Sequence, residues 1–526
     1  MSFAEGIFPE QLKVAKVIPI YKGGSKTDVS NYRPISLLSA FSKIFEKLMH
    51  SRVYNFLDKN QSLYDMQFGF RPGRSCEHAL LVAQNGILSA LNKKQSALLL
   101  LLDYSKAFDL VSHEILLDKL WHYGIRGIAH SWFRSYLSNR TQFVSIDDHN
   151  SSIKCIKYGV PQGSVLGPLL FILFINDLPN ISEKVRFILY ADDANIIITA
   201  ETEAEIISIF EQFSGDLLKW VNINGLFLNI KKTNYMIFTR KRNSILENYE
   251  PHVGQAKIER KSVARFLGVL IDENLSWNHH IVAVKAKMCR YVGTLHKLKK
   301  ILPLKARLLT FNSLVQSHLN YCSLVWGSTN RNKIEQLFTT QKKAIRAIMP
   351  GYINYFYNDG NTPTHTKEFF TEHDILTVHN LILKNMLIFM NKVKNFPHLL
   401  PKSVLNTIAS DSPNPRYNSQ EAYLSAWYRY HNTSVFRTST FFKGPILYNS
   451  FCDDDKNNWI ACDNVRKFKI NIKTYLIRDV QCTGTEEYSN LWIPENFPLH
   501  TVPGLRSSAR LQKQPQVCYR EVFAAD

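Results

Sequence analysis

Several features that define common protein classes are missing from this sequence. Its eight cysteines are scattered, with no C-x-x-C pair and no histidine at zinc spacing, which argues against a zinc site or a disulfide framework. The pattern favours reduced intracellular thiols. The longest apolar run falls well short of a membrane span, no secretory signal opens the chain, and no internal repeat is apparent. We therefore expect an intracellular protein with no membrane partner.

Acidic residues are scarce relative to basic ones. The 526 residues include 64 Lys and Arg against 44 Asp and Glu, which gives a formal net charge of +20 at pH 7. Such an excess fits a polyanionic partner, and without a membrane span nucleic acid is a better expectation than an anionic membrane face. A hydrophobic content of 45% with 21% charged residues predicts a globular chain with room for two or more domains.

The apolar patterning predicts an α+β fold with a mostly helical C-terminal region. Strands and helices alternate up to about residue 278, and the next three predicted helices, 279–299, 304–326 and 333–348, are rich in Lys and Arg. Beyond residue 351 the chain is less regular. There the sequence predicts a helix at 373–393, a linker at 403–420 and a poorly ordered tail.

Two adjacent carboxylates, Asp192 and Asp193, lie between two apolar runs that predict strands. Turns between strands usually carry Gly or Asn-Gly, and neighbouring like charges repel, so a divalent cation is the obvious compensation for this pair. Asp103 follows a third apolar run, 97–102. A strand-helix-strand crossover can bring these runs together in one sheet. The three carboxylates could then hold two Mg²⁺ ions for in-line displacement at phosphorus.

Short blocks with distinctive residues occur in a fixed order along the chain. They are NYRPISL (31–37), QFGFRPGRS (67–75), DYSKAFD (103–109), GVPQGSVLGP (159–168), YADD (190–193), residues 224–233, and FLG (266–268). In these blocks the chain resembles the reverse transcriptases of non-LTR (LINE-like) retrotransposons of the jockey-like type. The resemblance covers roughly residues 8–349 and implies a right-hand polymerase fold of fingers, palm and thumb. It also implies an RNA-directed DNA polymerase, a nucleotidyltransferase.

The resemblance assigns catalytic roles to four residues. Asp103 and Asp192 match the main ligands of two Mg²⁺ ions, for which Mn²⁺ can substitute, and Asp193 matches the third carboxylate. Lys232 matches the lysine proposed to protonate the pyrophosphate leaving group. On the residues alone, the Asp pair could be a surface turn and Lys232 an ordinary exposed lysine.

It also implies contacts with the nucleotide and the primer. Arg71 matches the triphosphate-binding arginine of the fingers, and either Lys22 or Arg33 supplies a second positive contact. The remaining matches are Phe108 as a steric gate against ribonucleotides, Gln162 and Gly163 beside the incoming nucleotide and template, and Phe266, Leu267 and Gly268 as the primer grip. Alone, Phe108 would be assigned to the core and Arg71 to the surface.

The predicted organisation has four parts. They are fingers and palm (1–275), a thumb-like basic helical region (279–350), a C-terminal helical and irregular region (351–480) and the tail (481–526). In the second part, a set of basic residues is expected to follow a duplex backbone, although solvated helix faces are the simpler alternative. This set comprises Lys285, Lys287, Arg290, Lys297, Lys299, Lys300, Lys305 and Arg307.

Partners and location follow from the resemblance alone. It implies an RNA template, a DNA primer or target and dNTPs, together with an endonuclease that is separate or missing upstream. It also implies the nucleus, because such elements prime on chromosomal DNA. One alternative is a catalytically silent, truncated nucleic-acid-binding relic. A lower-ranked one is a group II intron-type reverse transcriptase, since no maturase pattern follows residue 351.

Overall fold

The computed structural model describes residues 1–350, 366–409 and 464–478, together with Gly444 and Tyr448. The chain forms two compact units. One comprises Met1–Ser276 with Pro401–Val404, and the other comprises Trp277–Leu400 with the residues that follow Val404. The predicted tail lies outside the described residues, and the four-part division of the chain stays a prediction.

Within the residues that the structure describes, the strands all belong to the first unit. They are β1 (Val14–Tyr21), β2 (Tyr32–Leu37), β3 (Ser96–Leu102), β4 (Thr141–Ile146), β5 (His149–Asn150), β6 (Lys154–Cys155), β7 (Arg186–Tyr190), β8 (Asp193–Ala200), β9 (Asn234–Phe238), β10 (His252–Val253), β11 (Ala256–Lys257), β12 (Glu259–Arg260), β13 (Val263–Phe266) and β14 (Val269–Asp272).

Helices occur in both units. They are α1 (Ser2–Glu5), α2 (Ala40–Lys59), α3 (Cys76–Asn92), α4 (His113–His122), α5 (Gly127–Leu137), α6 (Gly167–Phe174), α7 (Glu203–Ile223), α8 (Asn278–Leu298), α9 (Leu304–Phe311), α10 (Ser317–Asn320), α11 (Ser323–Trp326), α12 (Arg331–Ile348), α13 (Lys367–Glu372), α14 (Val378–Asn395), α15 (Lys402–Ala409) and α16 (Val465–Arg478). A π-helical stretch, Asn312–Gln316, joins α9 to α10.

A five-stranded sheet with the order β12-β9-β3-β8-β7 forms the core of the first unit. Every residue of β3 is buried, as expected for a strand that is apolar after Ser96 and covered on both faces. β3 pairs antiparallel with β8 and β9, and Leu102 is opposite Ala194. The predicted adjacency of the two carboxylate-bearing strands is therefore confirmed. Helices α3 and α7 pack against this sheet.

A second sheet has the order β2-β1-β4-β5, with β6 paired to β4. Separately, β13 and β14 form a hairpin, so the apolar run 266–271 is not the single strand that its pattern predicts. Leu267 (φ 45°) and Gly268 (φ 81°) form its two-residue turn. Positive φ at both positions is typical of the tight turns that match strand twist.

The second unit is helical in its described part, which confirms the α+β class with a mostly helical C-terminal region. α8 packs against α12, and α14 packs against α12 and α16. The predicted helix 304–326 is wrong as one element, because Cys322 adopts φ 49° and separates α10 from α11. Of the predicted linker 403–420, residues 403–409 are helical and the rest lies outside the described residues.

Helix α14 begins at Val378 rather than at residue 373. The Thr377 side chain accepts a hydrogen bond from the backbone N–H of Asn380, a cap that fixes the first turn. Within the described ranges, no helix combines the length and the apolar character needed to cross a bilayer.

Candidate active site

The three predicted catalytic carboxylates lie at one edge of the central sheet. Tyr190 pairs with Asp193, so Ala191 and Asp192 form the turn between β7 and β8. Ala191 adopts φ 55°, a left-handed conformation that is unusual for a residue with a Cβ. Asp103 directly follows Leu102, the residue opposite Ala194, and therefore lies across from Asp193. Strand pairing brings together carboxylates that are far apart in sequence.

Electrostatic interactions confirm that these carboxylates are neighbours. Desolvation is the largest cause that raises the pKa of Asp192; the Asp103 charge also raises it, whereas the Arg33 charge lowers it. Desolvation, then the charges of Asp192 and Asp103, raise the pKa of Asp193 to about 6. The side chains of Asp192 and Asp193 both keep access to solvent. The edge therefore carries uncompensated negative charge that a cation can reach.

The three carboxylates are suitable ligands for a hard divalent cation, although their side chains are not gathered around one point. In the described part of the chain, no three His, Cys, Asp or Glu side chains converge as a ready-made metal cluster. Asp103, Asp192 and Asp193 nevertheless provide only oxygen ligands, which Mg²⁺ prefers, and the charges of Asp103 and Asp192 raise the pKa of Asp193. A bound cation would relieve that repulsion, so the chemistry of these residues fits Mg²⁺.

The backbone of Asp103 is held by the turn before β9. Its N–H donates to Thr233 Oγ1 (3.3 Å), and its carbonyl accepts from the Asn229 N–H (2.8 Å). Thr233 is fully buried and its own N–H bonds Asn229 O (2.8 Å). Neither residue was assigned a role from the sequence, although both lie in the matched block 224–233.

Gln67 is a second contributor that sequence reasoning missed. It is 1% exposed, and its side-chain oxygen accepts hydrogen bonds from Gly69 N–H (2.8 Å) and Ala191 N–H (3.1 Å). The sequence signal for Gln67 is its place at the start of the QFGFRPGRS block, in which the resemblance assigns a role only to Arg71.

Aromatic rings surround the predicted steric gate. Phe108 stacks on Phe171 with ring centroids 4.2 Å apart, and Phe70 meets it edge-on at 6.3 Å. Phe108 is half-buried, so part of the ring remains accessible. A half-buried ring with rigid neighbours is suited to steric selection.

The predicted Gln162–Gly163 contact lies in a loop fixed from two sides. Gln162 Nε2 donates to Asp109 Oδ1 (2.8 Å), and its carbonyl accepts from Ser36 N–H (2.7 Å). Gly163 has φ 125°, and a Cβ there would lie 2.5 Å from Ser36 O, so only glycine fits. Glu46, fully buried, accepts from the Val165 N–H (2.6 Å) and so fixes the start of α6.

The predicted triphosphate contacts differ in their surroundings. Arg71 is largely buried: Nη1 donates to Tyr64 O (2.8 Å) and Nη2 lies 3.9 Å from Asp58 Oδ1. Arg33 is exposed on β2, and its charge reaches Asp192. Lys22 is exposed just beyond β1, and its backbone N–H bonds Asn31 O (2.8 Å).

Two predicted elements lie farther along the chain. Lys232 is exposed next to the buried Thr233. Phe266 ends β13 and is 2% exposed, and Leu267 and Gly268 form the turn to β14. The roles of Lys232 in proton transfer and of this hairpin in primer binding stay predictions.

A sheet in which β9, β3, β8 and β7 pair antiparallel, with acidic residues at one edge and helices packed against it, matches the palm of a nucleic-acid polymerase fold. The chain belongs to the family described as reverse transcriptase (RNA-dependent DNA polymerase), whose model matches residues 22–292.

Individual proteins similar to this chain include the polymerases of jockey elements. The chain is 29% identical over 365 residues to the RNA-directed DNA polymerase from mobile element jockey of Drosophila melanogaster, covering 65% of this chain and 38% of that protein. The corresponding jockey protein of Drosophila funebris is 28% identical over 362 residues, with the same coverage. The resemblance to jockey-like reverse transcriptases is confirmed. The chain thus spans 38% of the length of these relatives.

Among solved structures, the chain is similar to a telomerase from Candida albicans in complex with a TWJ fragment of telomeric RNA. The TM-score is 0.41 at 13% identity, and the match covers 81% of this chain and 68% of that one.

Proposed function

We propose that this chain is the polymerase of a non-LTR retrotransposon, which adds dNTPs to a DNA 3′ end while it copies an RNA template. The observation that carries the proposal is the meeting of Asp103, Asp192 and Asp193 at one sheet edge, where each carboxylate disfavours ionisation of the next. Family membership supports the same reaction. Its place of action would be the nucleus, since such priming uses chromosomal DNA.

The carboxylates would hold two Mg²⁺ ions, or Mn²⁺, which supply Lewis-acid activation of the primer hydroxyl and neutralise charge on the leaving group. Asp103 is supported for this role by its fixed backbone at Thr233. The exposed Lys232 would deliver a proton to the departing pyrophosphate.

Phe108 and Gln162 would select the incoming nucleotide. A sugar 2′-hydroxyl would collide with the Phe108 ring, which cannot retreat because Phe171 stacks behind it at 4.2 Å. Gln162, oriented by Asp109, would touch the nucleotide and its template base. The hydrogen bond that Gln162 donates to Asp109 supports a preset orientation.

Positive charge for the triphosphate would come from Arg33 and Arg71. Between Lys22 and Arg33, we favour Arg33, because its charge already acts on Asp192. Arg71 Nη1 donates a hydrogen bond to Tyr64 O. To bind phosphate oxygens, Arg71 would have to give up that bond or use Nη2 instead.

Primer extension on poly-rA/oligo-dT with Mg²⁺ tests the proposal. We expect Asp192→Ala to abolish extension, because the turn loses a carboxylate that no neighbour replaces. Asp216→Ala is the matched control: this carboxylate forms a surface pair with Lys219 (3.0 Å) on α7 and should leave activity intact.

Two results would overturn the assignment. Extension that survives Asp192→Ala would exclude the carboxylate mechanism. A folded wild-type protein that binds RNA but extends no primer would instead favour the silent relic.

A further inference from the structure

Gln67 joins a distant loop to the turn that carries two of the three carboxylates. Its buried side-chain oxygen accepts from the N–H groups of both Gly69 and Ala191, the residue immediately before Asp192. We propose that Gln67 is a positioning residue for catalysis, which holds Ala191 in its left-handed conformation and thereby sets the directions of Asp192 and Asp193. This inference rests on the proposed function.

Main-chain hydrogen bonds fix the segment around Gln67 against β7. Phe68 N–H donates to Leu189 O (2.8 Å), and Leu189 N–H donates to Met66 O (2.9 Å). Residues 66–68 therefore add a short parallel pairing to a strand that has only β8 as its partner in the sheet. These bonds fix the backbone of Gln67, and so they fix the position from which its side-chain oxygen accepts the hydrogen bond of Ala191.

Close packing at Gly69 brings the segment to the turn itself. A Cβ on Gly69 would lie 2.5 Å from Ala191 N and 3.0 Å from the carbonyl carbon of Tyr190. Glycine is thus required for the two backbones to meet. Ala191 is buried at this contact, and its N–H donates to Gln67 Oε1 (3.1 Å).

Loss of that acceptor has a specific consequence. Ala191 adopts φ 55°, which a residue with a Cβ keeps only when its surroundings impose it. Without Gln67 Oε1, two N–H groups would be left unpaired in a buried setting, and relaxation of Ala191 would redirect Asp192. A purely structural glutamine would instead affect folding without changing the catalytic step.

Three variants separate these possibilities. Gln67→Ala removes the acceptor. Gln67→Glu retains it but adds a negative charge beside Asp192 and Asp193. Asn176→Ala is the matched control, because Asn176 also ties this loop down with two bonds, from Tyr64 N–H to its Oδ1 and from its Nδ2 to Ser62 O (both 2.8 Å), away from the turn.

The experiment measures primer extension on poly-rA/oligo-dT for each full-length variant. We expect Gln67→Ala to lower kcat by about tenfold to 100-fold with little change in the KM for dTTP, as for a displaced catalytic group. Gln67→Glu keeps an acceptor oxygen for the two N–H groups and should therefore retain most of the activity. Asn176→Ala should keep kcat.

Hydrogen exchange provides a readout that does not need activity. Amides of a peptide spanning residues 187–193 should exchange faster in Gln67→Ala than in wild type or Asn176→Ala. Equal exchange in the 187–193 peptide, or equal kcat in the two alanine variants, would each overturn the positioning role. An inactive wild type would defeat the proposed function instead, and the exchange comparison would still decide whether Gln67 holds the turn.

Discussion

At the scale of single residues, Asp193 shows how a functional group can oppose folding. Its pKa is raised to about 6, from an ordinary value of 3.8, mainly by desolvation and then by the charges of Asp192 and Asp103. Between these two pH values the folded state binds more protons than the unfolded state. Stability from this group is therefore present at low pH and is lost as pH rises through about 6.

Asp193→Asn should consequently stabilise the metal-free protein at pH 7. We expect a gain of at most about 1 kcal/mol, because solvent reaches this carboxylate and screens it. The gain should shrink below pH 6 and vanish near pH 4. Urea unfolding in EDTA across this range measures it, with Asp216→Asn as the control that should show no gain. A loss of stability at pH 7 would contradict the sign.

Phe108 allows a second test at this scale. Phe108→Val removes most of the ring that stacks on Phe171, which opens room for a 2′-hydroxyl. We expect the preference for dTTP over UTP in kcat/KM to fall by at least about tenfold, which corresponds to about 1.4 kcal/mol of discrimination. Unchanged discrimination together with normal dTTP incorporation would remove Phe108 from the gate.

At the scale of elements, the turn before β9 supports the end of strand β3, where Asp103 lies. Thr233→Val keeps the shape of the side chain but removes the acceptor for the Asp103 N–H (3.3 Å). We expect a loss of about 1–2 kcal/mol in the free energy of unfolding, typical of a buried donor left unpaired, and a lower kcat. Thr233→Ser retains the oxygen and should behave like wild type. Equal stability of the Val and Ser variants would argue against this bond.

Sequence patterns predicted those elements whose signal is local. The apolar spacing over 333–348 predicts helix α12, and the acidic pair between two strand patterns predicts the β7–β8 turn. The sequence does not predict the helix break at Cys322, because a π-helical stretch and short helices keep nearly the same apolar spacing as one long helix.

The candidate site was predictable where its chemistry is carried by distinctive residue types. Asp103, Asp192 and Asp193 stand out as carboxylates after apolar strands, and the structure brings them together. Gln67 and Thr233 could not be found this way. Their contacts join residues 124 and 130 positions apart, and nothing in local periodicity encodes such pairs.

At the scale of the whole molecule, the charge of +20 leads to a prediction about nucleic acid. Part of the predicted phosphate-binding set is not available: Arg307 is 8% exposed and donates to Ile348 O (2.7 Å). Lys285 donates to Gln336 Oε1 (3.3 Å). Lys297 and Lys300 are exposed at the end of α8 and remain candidates for contact with a duplex backbone.

RNA binding should therefore weaken steeply with salt. The double variant Lys297→Gln/Lys300→Gln should reduce the slope of log K against log salt by about one for each lost phosphate contact. Lys93→Gln/Lys94→Gln removes the same charge from an exposed position after α3 and should change the slope less. Identical slopes for the two double variants would favour solvated helix faces over a phosphate-binding thumb.

The bond between Asp103 and Thr233 also has a consequence for the order of events during synthesis. Asp103 leaves the ribosome 130 residues before its partner Thr233, and β3 cannot complete its pairing until both β8 and β9 have been made. Closing such long loops slows folding. Until β8 and β9 are synthesised, the apolar strand β3 therefore stays unpaired. Chains with such exposed apolar strands are the folding intermediates that chaperones bind. The sheet edge that carries Asp103, Asp192 and Asp193 is thus among the last parts of the first unit to assemble.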